Sequence, residues 1–396
     1  MEQYIQRGTT DFKKTNLAFF AGGFCTFAIL WGMQPILPQI AEEFNVSPAM
    51  SSLTQSGTTI SLAVSLLIAG SLSEVFGRKS IMAISLVLSA ILSIAIGFVQ
   101  SFELLIFLRV IQGITLAGLP AVAMAYLGEE IEPRSLSLAM GLYVSGNSIG
   151  GMSGRIIGGV LTDHFNWQVA LIGVGIICLL SSLLFMLLLP KQAHFESKPF
   201  STINLARTFI CHLGSTSLMK LFMIGFFAAA SFVALYNYIG FELIKPPYSL
   251  SESVVGFIFI VYLVGTFSST WMGMLAGRHG LKKVLQLSLI ILLAGLWITL
   301  TINIWIKILG IAIFTFGFFA AHSIISTWVG QVAVQNKAQA ASIYLFAYYI
   351  GGSVGGTVSG VFYTNYGWNG VVVIISIFSI VCAYVTITLR KQGLVS

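Results

Sequence analysis

Apolar residues in this chain run in stretches of about 20, which short polar segments separate. A helix of that length crosses the ~30 Å hydrocarbon core of a bilayer. Because most of the polar segments are very short, consecutive helices are expected to be antiparallel. The pattern predicts twelve spanning helices, near residues 16–38, 50–73, 80–100, 103–128, 136–162, 168–190, 215–243, 253–276, 283–302, 305–330, 338–363 and 368–390.

One polar segment is much longer than the others. It predicts a division into an N-terminal six-helix bundle (1–190), a cytoplasmic linker (191–214) and a C-terminal six-helix bundle (215–396).

Composition and charge exclude a soluble protein. Charged residues make up 8% of the chain, against roughly a quarter in an ordinary globular domain. Lys and Arg concentrate in the loops on one side, and only Lys245 and Lys307 fall on the other. By the positive-inside rule, this asymmetry predicts a multi-pass protein of the plasma membrane, the inner membrane in bacteria, with both termini in the cytoplasm.

The two halves of the chain repeat each other at an offset of about 200 residues. The element Gly150-Gly151 returns as Gly351-Gly352, and Trp167 returns as Trp368. Parallel repeats of six helices are typical of carriers that rock around a central site. The expected fold is therefore an all-α membrane protein with twelve transmembrane helices in two six-helix halves.

The segment after the second predicted helix carries Gly70, Glu74, Gly77 and Arg78 at regular spacing. It resembles the signature loop of the major facilitator superfamily, although Glu74 stands where that loop has aspartate. The resemblance implies a gate: the glycines allow close approach, and the carboxylate pairs with a cation or a helix N-terminus to latch the cytoplasmic side. The alternative is a simple positive-inside stop signal, which explains Arg78 but not the glycine spacing.

Arg109, Gln112 and Gly113 resemble the RxxQG element in the fourth helix of the same superfamily. An arginine within a span is costly unless it faces a cavity or a partner, so a functional role is expected. The alternative is that Arg109 snorkels to the outer headgroups.

The fifth predicted helix carries Gly150, Gly154, Arg155, Gly158 and Gly159. This series resembles the antiporter motif of the exporting branches, with Arg155 in place of the usual proline. The surrounding stretch is most similar to the YnfM-like branch of arabinose-efflux-permease-like carriers. The resemblance implies alternating access and export driven by inward flow of protons, or alternatively of Na⁺.

No Asp or Glu lies in the middle of any predicted span; Glu242 lies near the outer end of span 7. His322 is the mid-membrane group that titrates near physiological pH, and a structural histidine is the alternative. Arg109 and Arg155 would leave a positive cavity, which suggests an anionic or hydrogen-bond-accepting substrate. Alternatively, both arginines bond backbone carbonyls, or Arg155 reaches Asp163.

Further cavity candidates are polar or amphipathic residues within predicted spans: Gln34, Asn147, Tyr236, Asn237, Tyr238, Trp328 and Tyr348. An aromatic belt at the membrane interface could account for several of the rings instead.

The expected function is a secondary active exporter of drugs or metabolites that works as a monomer. An uptake or facilitated-diffusion carrier for a sugar or organic acid is the alternative. No nucleotide loop, metal cluster or nucleophile–base pair is visible, so neither an enzyme, a cofactor nor a nucleic-acid partner is expected.

Overall fold

The computed structural model describes residues 4–192, 214–333 and 337–389, and these are helical almost throughout. The helices of the first half are α1 (Thr10–Trp31), α2 (Pro48–Phe76), α3 (Arg78–Ile96), α4 (Phe102–Leu116, continuing as Gly118–Glu130), α5 (Leu136–His164) and α6 (Trp167–Leu188). The helices of the second half are α7 (Thr216–Ile244), α8 (Glu252–Ile258, continuing as Tyr262–His279), α9 (Leu281–Ile298), α10 (Ile304–Val332), and α11 and α12, which form one helical run, Lys337–Thr388. The predicted linker 191–214 lies almost entirely outside the described residues.

The described residues thus contain the predicted twelve helices. Gly367 divides α11 (337–366) from α12 (368–388), because its φ of 59° is a left-handed conformation that glycine adopts readily. Ten helical stretches are both long and apolar enough to cross a membrane when α11 and α12 are counted as one. The helix α5 is not among them, although it has 29 residues. Its glycines and Arg155 make it less apolar than its neighbours.

Polar side chains cap the N-terminus of many of the helices. In each case a Ser or Asn side chain accepts a hydrogen bond from a backbone N–H in the first turn. These caps are Ser101, Asn166, Ser215, Ser251 and Asn303.

The helix α1 is broken near its end. It stops at Trp31 and continues through a 3₁₀ turn, Gln34–Ile36, into a short helix, Leu37–Glu43. Pro35 and Pro38 cause the break, because neither has a backbone N–H to continue the helical ladder. The break places the side chains of Trp31 and Gln34 beside α5.

Glycines bring α5 against α1 and α11 against α7 in the same way. A Cβ added at Gly150 or Gly154 would lie 2.3 or 2.5 Å from the carbonyl oxygen of Phe24 or Ala28. In the second half, a Cβ at Gly351 would lie 2.2 Å from the carbonyl oxygen of Phe226. These helix pairs therefore meet backbone to backbone, as small residues permit in membranes.

The chain divides into two compact units. Unit 1 comprises Met1–Val46, Leu53–Ser201 and Ser251–Phe259. Unit 2 comprises Ser47–Ser52, Thr202–Leu250 and Ile260–Ser396. The start of α8 thus belongs to unit 1, where Gly159 of α5 packs against Gly256.

Candidate functional site

Arg155 is the centre of a buried polar site in unit 1. Its side chain is 1% exposed, and its guanidinium lies 5.0 Å from the ring centroids of both Trp31 and Phe259. The Nε atom donates to Oε1 of Gln34 at 2.8 Å, and Nη1 donates to the carbonyl oxygen of Gly151 at 2.6 Å. We call Arg155, Gln34, Trp31 and Phe259 the Arg155 centre.

The sequence left open whether Arg155 bonds a backbone carbonyl or faces a cavity, and the Arg155 centre has features of both. Arg155 does donate to a backbone carbonyl, that of Gly151. It also donates to the Gln34 amide and lies against two aromatic faces, which attract a cation. Asp163, the nearest acid along α5, lies beside Ser251 and Ser253 at the start of α8.

Arg109 lies in a second buried network of unit 1. Its Nε donates to the carbonyl oxygen of Thr54 at 3.2 Å, Nη1 to Oε1 of Gln112 at 2.6 Å, and Nη2 to Oε1 of Gln55 at 3.3 Å. Gln112 passes the network on to α3 by donating to the carbonyl oxygen of Ser89 at 3.0 Å. Arg109 is 1% exposed, so the structure places it among protein acceptors and not at the outer headgroups.

Gln55 links the Arg109 network to the broken end of α1. Its Nε2 donates to the carbonyl oxygen of Leu30 at 3.0 Å, one residue before Trp31. The two intramembrane arginines are therefore connected through the segment that carries Trp31 and Gln34. The sequence offered no sign of this link, because Gln55 belongs to no recognisable motif.

Asn147 lies two turns along α5 from Arg155 and packs against Gly23 of α1. A Cβ at Gly23 would lie 2.3 Å from its Oδ1. Asn147 thus joins the α1–α5 contact and not the Arg155 centre.

His322 lies in an aromatic cluster of unit 2. Its Nδ1 is 2.7 Å from the hydroxyl of Tyr344, its ring is 4.8 Å from that of Tyr348, and it stacks on Phe318 at 6.0 Å. The hydroxyl of Tyr236 lies 2.6 Å from Oγ1 of Thr315 on α10.

Three other candidates of unit 2 are buried, and the contacts given below are with residues outside this cluster. Tyr238 donates to the carbonyl oxygen of Gly356 at 2.6 Å and stacks on Tyr363. Asn237 packs against the same Gly356. Trp328 is buried in α10.

Glu242 pairs with Lys307, which the charge pattern puts on the outer side. Lys307 lies in the first turns of α10 and is 1% exposed. Its Nζ is 3.6 Å from Oε1 of Glu242 and donates to the carbonyl oxygen of Thr299 at 2.7 Å. The rings of Tyr248 and Trp368 complete its surroundings at 5.2 and 5.3 Å. The apolar residues on both sides of Lys307 were the available signal.

The segment between α2 and α3 holds an ion pair that sequence reasoning also missed. Arg78 donates from Nε and Nη2 to the two carboxylate oxygens of Glu129, at 2.6 and 2.5 Å. Gly77 adopts a φ of 89°, which requires glycine, and Lys79 donates to the carbonyl oxygen of Leu189 at the end of α6.

The remaining gate candidates have fewer contacts. Glu74 is half-buried, and within the described ranges it forms no hydrogen bond or ion pair. A Cβ at Gly70 would meet only the carbonyl oxygen of Ala121, at 3.9 Å. The α5 glycines are tighter, since a Cβ at Gly158 would lie 2.8 Å from the carbonyl oxygen of Gly32.

Known proteins are similar to this chain in sequence. The family model described as Major Facilitator Superfamily matches residues 19–242 and 221–393. The chain is 49% identical over 383 residues to the uncharacterized MFS-type transporter YybF of Bacillus subtilis, covering 97% of this chain and 95% of that protein. It is 43% identical over 390 residues to the inner membrane transport protein YnfM of Escherichia coli, covering 98% and 94%.

A solved structure shows the same fold. A bacterial homolog of the human lysosomal transporter Spinster, in an inward-facing and unoccupied conformation, superposes with a TM-score of 0.80 at 15% identity, covering 97% of this chain and 99% of that one. Taken with the sequence matches, the twelve helices and their repeated glycine contacts identify a multi-pass membrane transporter of the YnfM-like branch and not an enzyme. The chain belongs to the Major Facilitator Superfamily.

Proposed function

We propose that this transporter exports small molecules by alternating access, and that protons flowing inward drive the export. The observation that carries the proposal is the glycine series of α5, with Arg155 inside it. Gly150, Gly154 and Gly158 pack on consecutive turns of α1, so α1 and α5 can move as one body. The series resembles the motif of exporting branches.

The Arg155 centre supports an organic anion as substrate. A guanidinium binds carboxylates through charge-assisted hydrogen bonds, and these are strong where water is excluded. Gln34 and Gly151 accept hydrogen bonds from Arg155 through neutral oxygens, and neither adds a negative charge to the site. A lipophilic cation would be repelled at the same place.

His322 is the proposed proton carrier. From residue 214 onward the chain has only two acids, Glu242 and Glu252. Glu242 is paired with Lys307, and Glu252 lies in the first turn of α8. This leaves the imidazole of α10 as the group that can titrate far from the helix ends, with Tyr344 fixing the orientation of its ring.

The gate belongs to the same proposal. Arg78 is held by Glu129, whereas Glu74 is available for a partner in another conformation. Glu74→Ala should then shift the population toward the inward-open state, seen as faster labelling of a cysteine introduced on the cytoplasmic side. Glu103→Ala, at the outer start of α4, is the matched control, and equal labelling in both variants argues against the latch.

The predicted arrangement completes the proposal: two six-helix bundles, 1–190 and 215–396, joined by the linker 191–214, in a monomer of the plasma membrane with both termini in the cytoplasm. The excess of Lys and Arg in the loops of one side supports this orientation.

Proteoliposomes with an internal pH dye test the proposal. At equal pH on both sides, external substrate should make the lumen more alkaline if protons leave in exchange. A proton symporter would acidify the lumen, and a facilitated-diffusion carrier would equilibrate labelled substrate without a pH change. A panel of organic acids, lipophilic cations and sugars, with protein-free vesicles as the control for passive acid entry, identifies the class; acidification, Na⁺-driven flux or preference for cations overturns the proposal.

His322→Gln separates the proton step from substrate binding. The variant should still exchange labelled substrate across vesicles while losing the pH change. Normal proton movement in this variant would exclude His322 as the carrier.

A further inference from the structure

Four half-buried rings of unit 2 form two contacting pairs, which the buried ring of Phe318 links at 5.5 and 6.0 Å. Tyr262, Phe319, His322 and Tyr348 come from three helices, α8, α10 and α11. The Tyr262 and Phe319 rings are 5.5 Å apart, and those of His322 and Tyr348 are 4.8 Å apart. We call these four residues the aromatic wall.

Buried rings support the aromatic wall from behind. Phe232 of α7 stacks on Phe318 at 3.8 Å and contacts both Tyr262 and Phe319, at 5.5 and 5.7 Å. Phe232 thus adds a fourth helix behind the wall. A surface made by three helices, with an imidazole in it, is expected to face the bundle interior or a water-filled cavity, because an ionisable group facing lipid is costly.

The repeat shows that the fold does not require these rings. At the offset of 201 that pairs Gly150 with Gly351, Gly118 matches Phe319, Ala121 matches His322 and Asn147 matches Tyr348. The first half packs the same helices with a glycine, an alanine and an amide at these positions. The aromatic wall is therefore an addition in one half, and it needs an explanation other than helix packing.

His322 adds one polar point to the aromatic wall. Its hydrogen bond to Tyr344 uses Nδ1, and within the part of the chain that the structure describes it has no other hydrogen bond. The neutral imidazole with Nδ1 engaged leaves Nε2 to accept or donate one hydrogen bond. An aromatic surface that presents an imidazole nitrogen suits a flat ring that carries a polar substituent.

We propose that the aromatic wall binds an aromatic ring of the transported molecule, and that His322 Nε2 accepts a hydrogen bond from a hydroxyl or N–H on that ring. The inference rests on the proposed export function and narrows its substrate to hydroxylated or N–H-bearing aromatic compounds. Protonation turns Nε2 into a donor, so His322 can no longer accept the hydrogen bond that the neutral imidazole accepts from the ring. The proton therefore competes with such a substrate at His322, and this competition would couple the two in antiport.

Other titratable groups near His322 are neutral. They are the phenols of Tyr236, Tyr262, Tyr344 and Tyr348 and the thiol of Cys382. The charged residues of the surrounding helices lie in the end turns, as Glu242 and Lys307 do. The proton that displaces the substrate is therefore assigned to His322 itself.

Pairs of probes with equal charge test the inference. Benzoate against cyclohexanecarboxylate varies only the ring, and 4-hydroxybenzoate against 4-methoxybenzoate varies the donor. Binding to the purified protein in nanodiscs should favour the aromatic member, and then the hydroxylated member, by about fivefold each.

Variants assign the two preferences to residues. Tyr348→Leu should reduce the ring preference to about one, and Tyr348→Phe should retain it. His322→Phe should retain the ring preference and lose the hydroxyl preference. Tyr384→Leu, at a 68% exposed position of α12, is the matched control and should change neither.

Equal affinity within both probe pairs, or unchanged ratios in Tyr348→Leu, overturns the inference. Proton-coupled transport of other compounds in the vesicle assay would then leave the export proposal standing. Conversely, ring preference in nanodiscs without any proton movement in vesicles would retain the aromatic site and reject antiport.

Discussion

Arg155 and Gln34 are joined by a hydrogen bond of 2.8 Å between guanidinium Nε and amide Oε1, although 121 positions separate them in the sequence. The contact depends on the break after Trp31, which turns Gln34 toward α5. The amide orients the arginine and, being neutral, adds no negative charge of its own. The character of the site should therefore depend on this one amide.

Replacing Gln34 by Glu tests that dependence with almost no change in shape. The new carboxylate would form an ion pair with Arg155 and compete with an anionic substrate. We expect the KM for the best organic acid of the vesicle panel to rise by about tenfold or more, which corresponds to ~1.4 kcal/mol.

Gln112→Glu is the matched control, because it places the same charge beside the other intramembrane arginine. It should leave the KM for the anion within about twofold of the unaltered protein. An unchanged KM in Gln34→Glu, or equal effects in both variants, would show that Arg155 does not bind the anion.

Gly154→Ala tests the backbone contact between α5 and α1. The added methyl would lie 2.5 Å from the Ala28 carbonyl oxygen and 2.6 Å from its Cα, so the helices would have to separate. We expect overpacking to cost about 1–3 kcal/mol, with a lower thermal unfolding temperature of the purified protein and reduced transport.

Gly141→Ala is the matched control. Gly141 lies on the same helix, and a Cβ added there would have no neighbour within 4 Å. It should be neutral or raise stability by about 0.5–1 kcal/mol, because alanine is the better helix former. Equal stability in the two variants would mean that the close contact is not needed.

The helix count and the repeat were predictable because each depends on local signals. Apolar length decides whether a segment can span, and the glycine pairs recur at a fixed offset. The partners of Arg109 were not predictable in that way. Gln112 lies one turn along the same helix, but Thr54 and Gln55 meet Arg109 only because α2 packs against α4 there.

Lys307 is a second example. The charge pattern puts it on the outer side, near the start of α10 at Ile304, but does not indicate that it is buried. Glu242, Thr299 and Trp368 lie far from it in sequence or on other helices, so the burial follows from tertiary packing alone. Such ion pairs are visible only once the helices are assembled.

Arg109 should be primarily a structural connector of α2, α3 and α4. Arg109→Met would leave the acceptors on Thr54, Gln55 and Gln112 unsatisfied, and hydrogen bonds to a charged donor are worth about 1.5–3 kcal/mol each. We expect a loss of about 3 kcal/mol or more in stability, measured as a lower unfolding temperature in detergent.

A double-variant cycle separates this role from a chemical one. Arg109→Met combined with Gln112→Leu should cost clearly less than the sum of the single changes, because both break the same network. If Arg109→Met keeps its stability but loses all transport, Arg109 acts on the substrate or proton instead.

Glu132 should make the docking of the N-terminal segment sensitive to acid. Its carboxylate accepts hydrogen bonds from the Ser135 hydroxyl at 2.7 Å and the Arg7 backbone N–H at 3.1 Å. Beside it, Ile5 forms a short bridge with Ile131. The Ser135 and Arg7 hydrogen bonds hold the pKa of Glu132 below its ordinary value of 4.5.

Because the pKa of Glu132 is lowered on folding, its stabilising contribution is complete above the ordinary value and is lost as the pH falls through the lowered one. Hydrogen exchange can follow this loss as protection of the Ile5 and Arg7 amides relative to intrinsic rates. Protection should be constant between about pH 6 and pH 8 and should decrease below roughly pH 4.5. In Glu132→Gln the protection should be reduced at all pH values and no longer depend on acid, whereas Glu103→Gln should behave like the unaltered chain. Acid-dependent protection that persists in Glu132→Gln would assign the docking to another group.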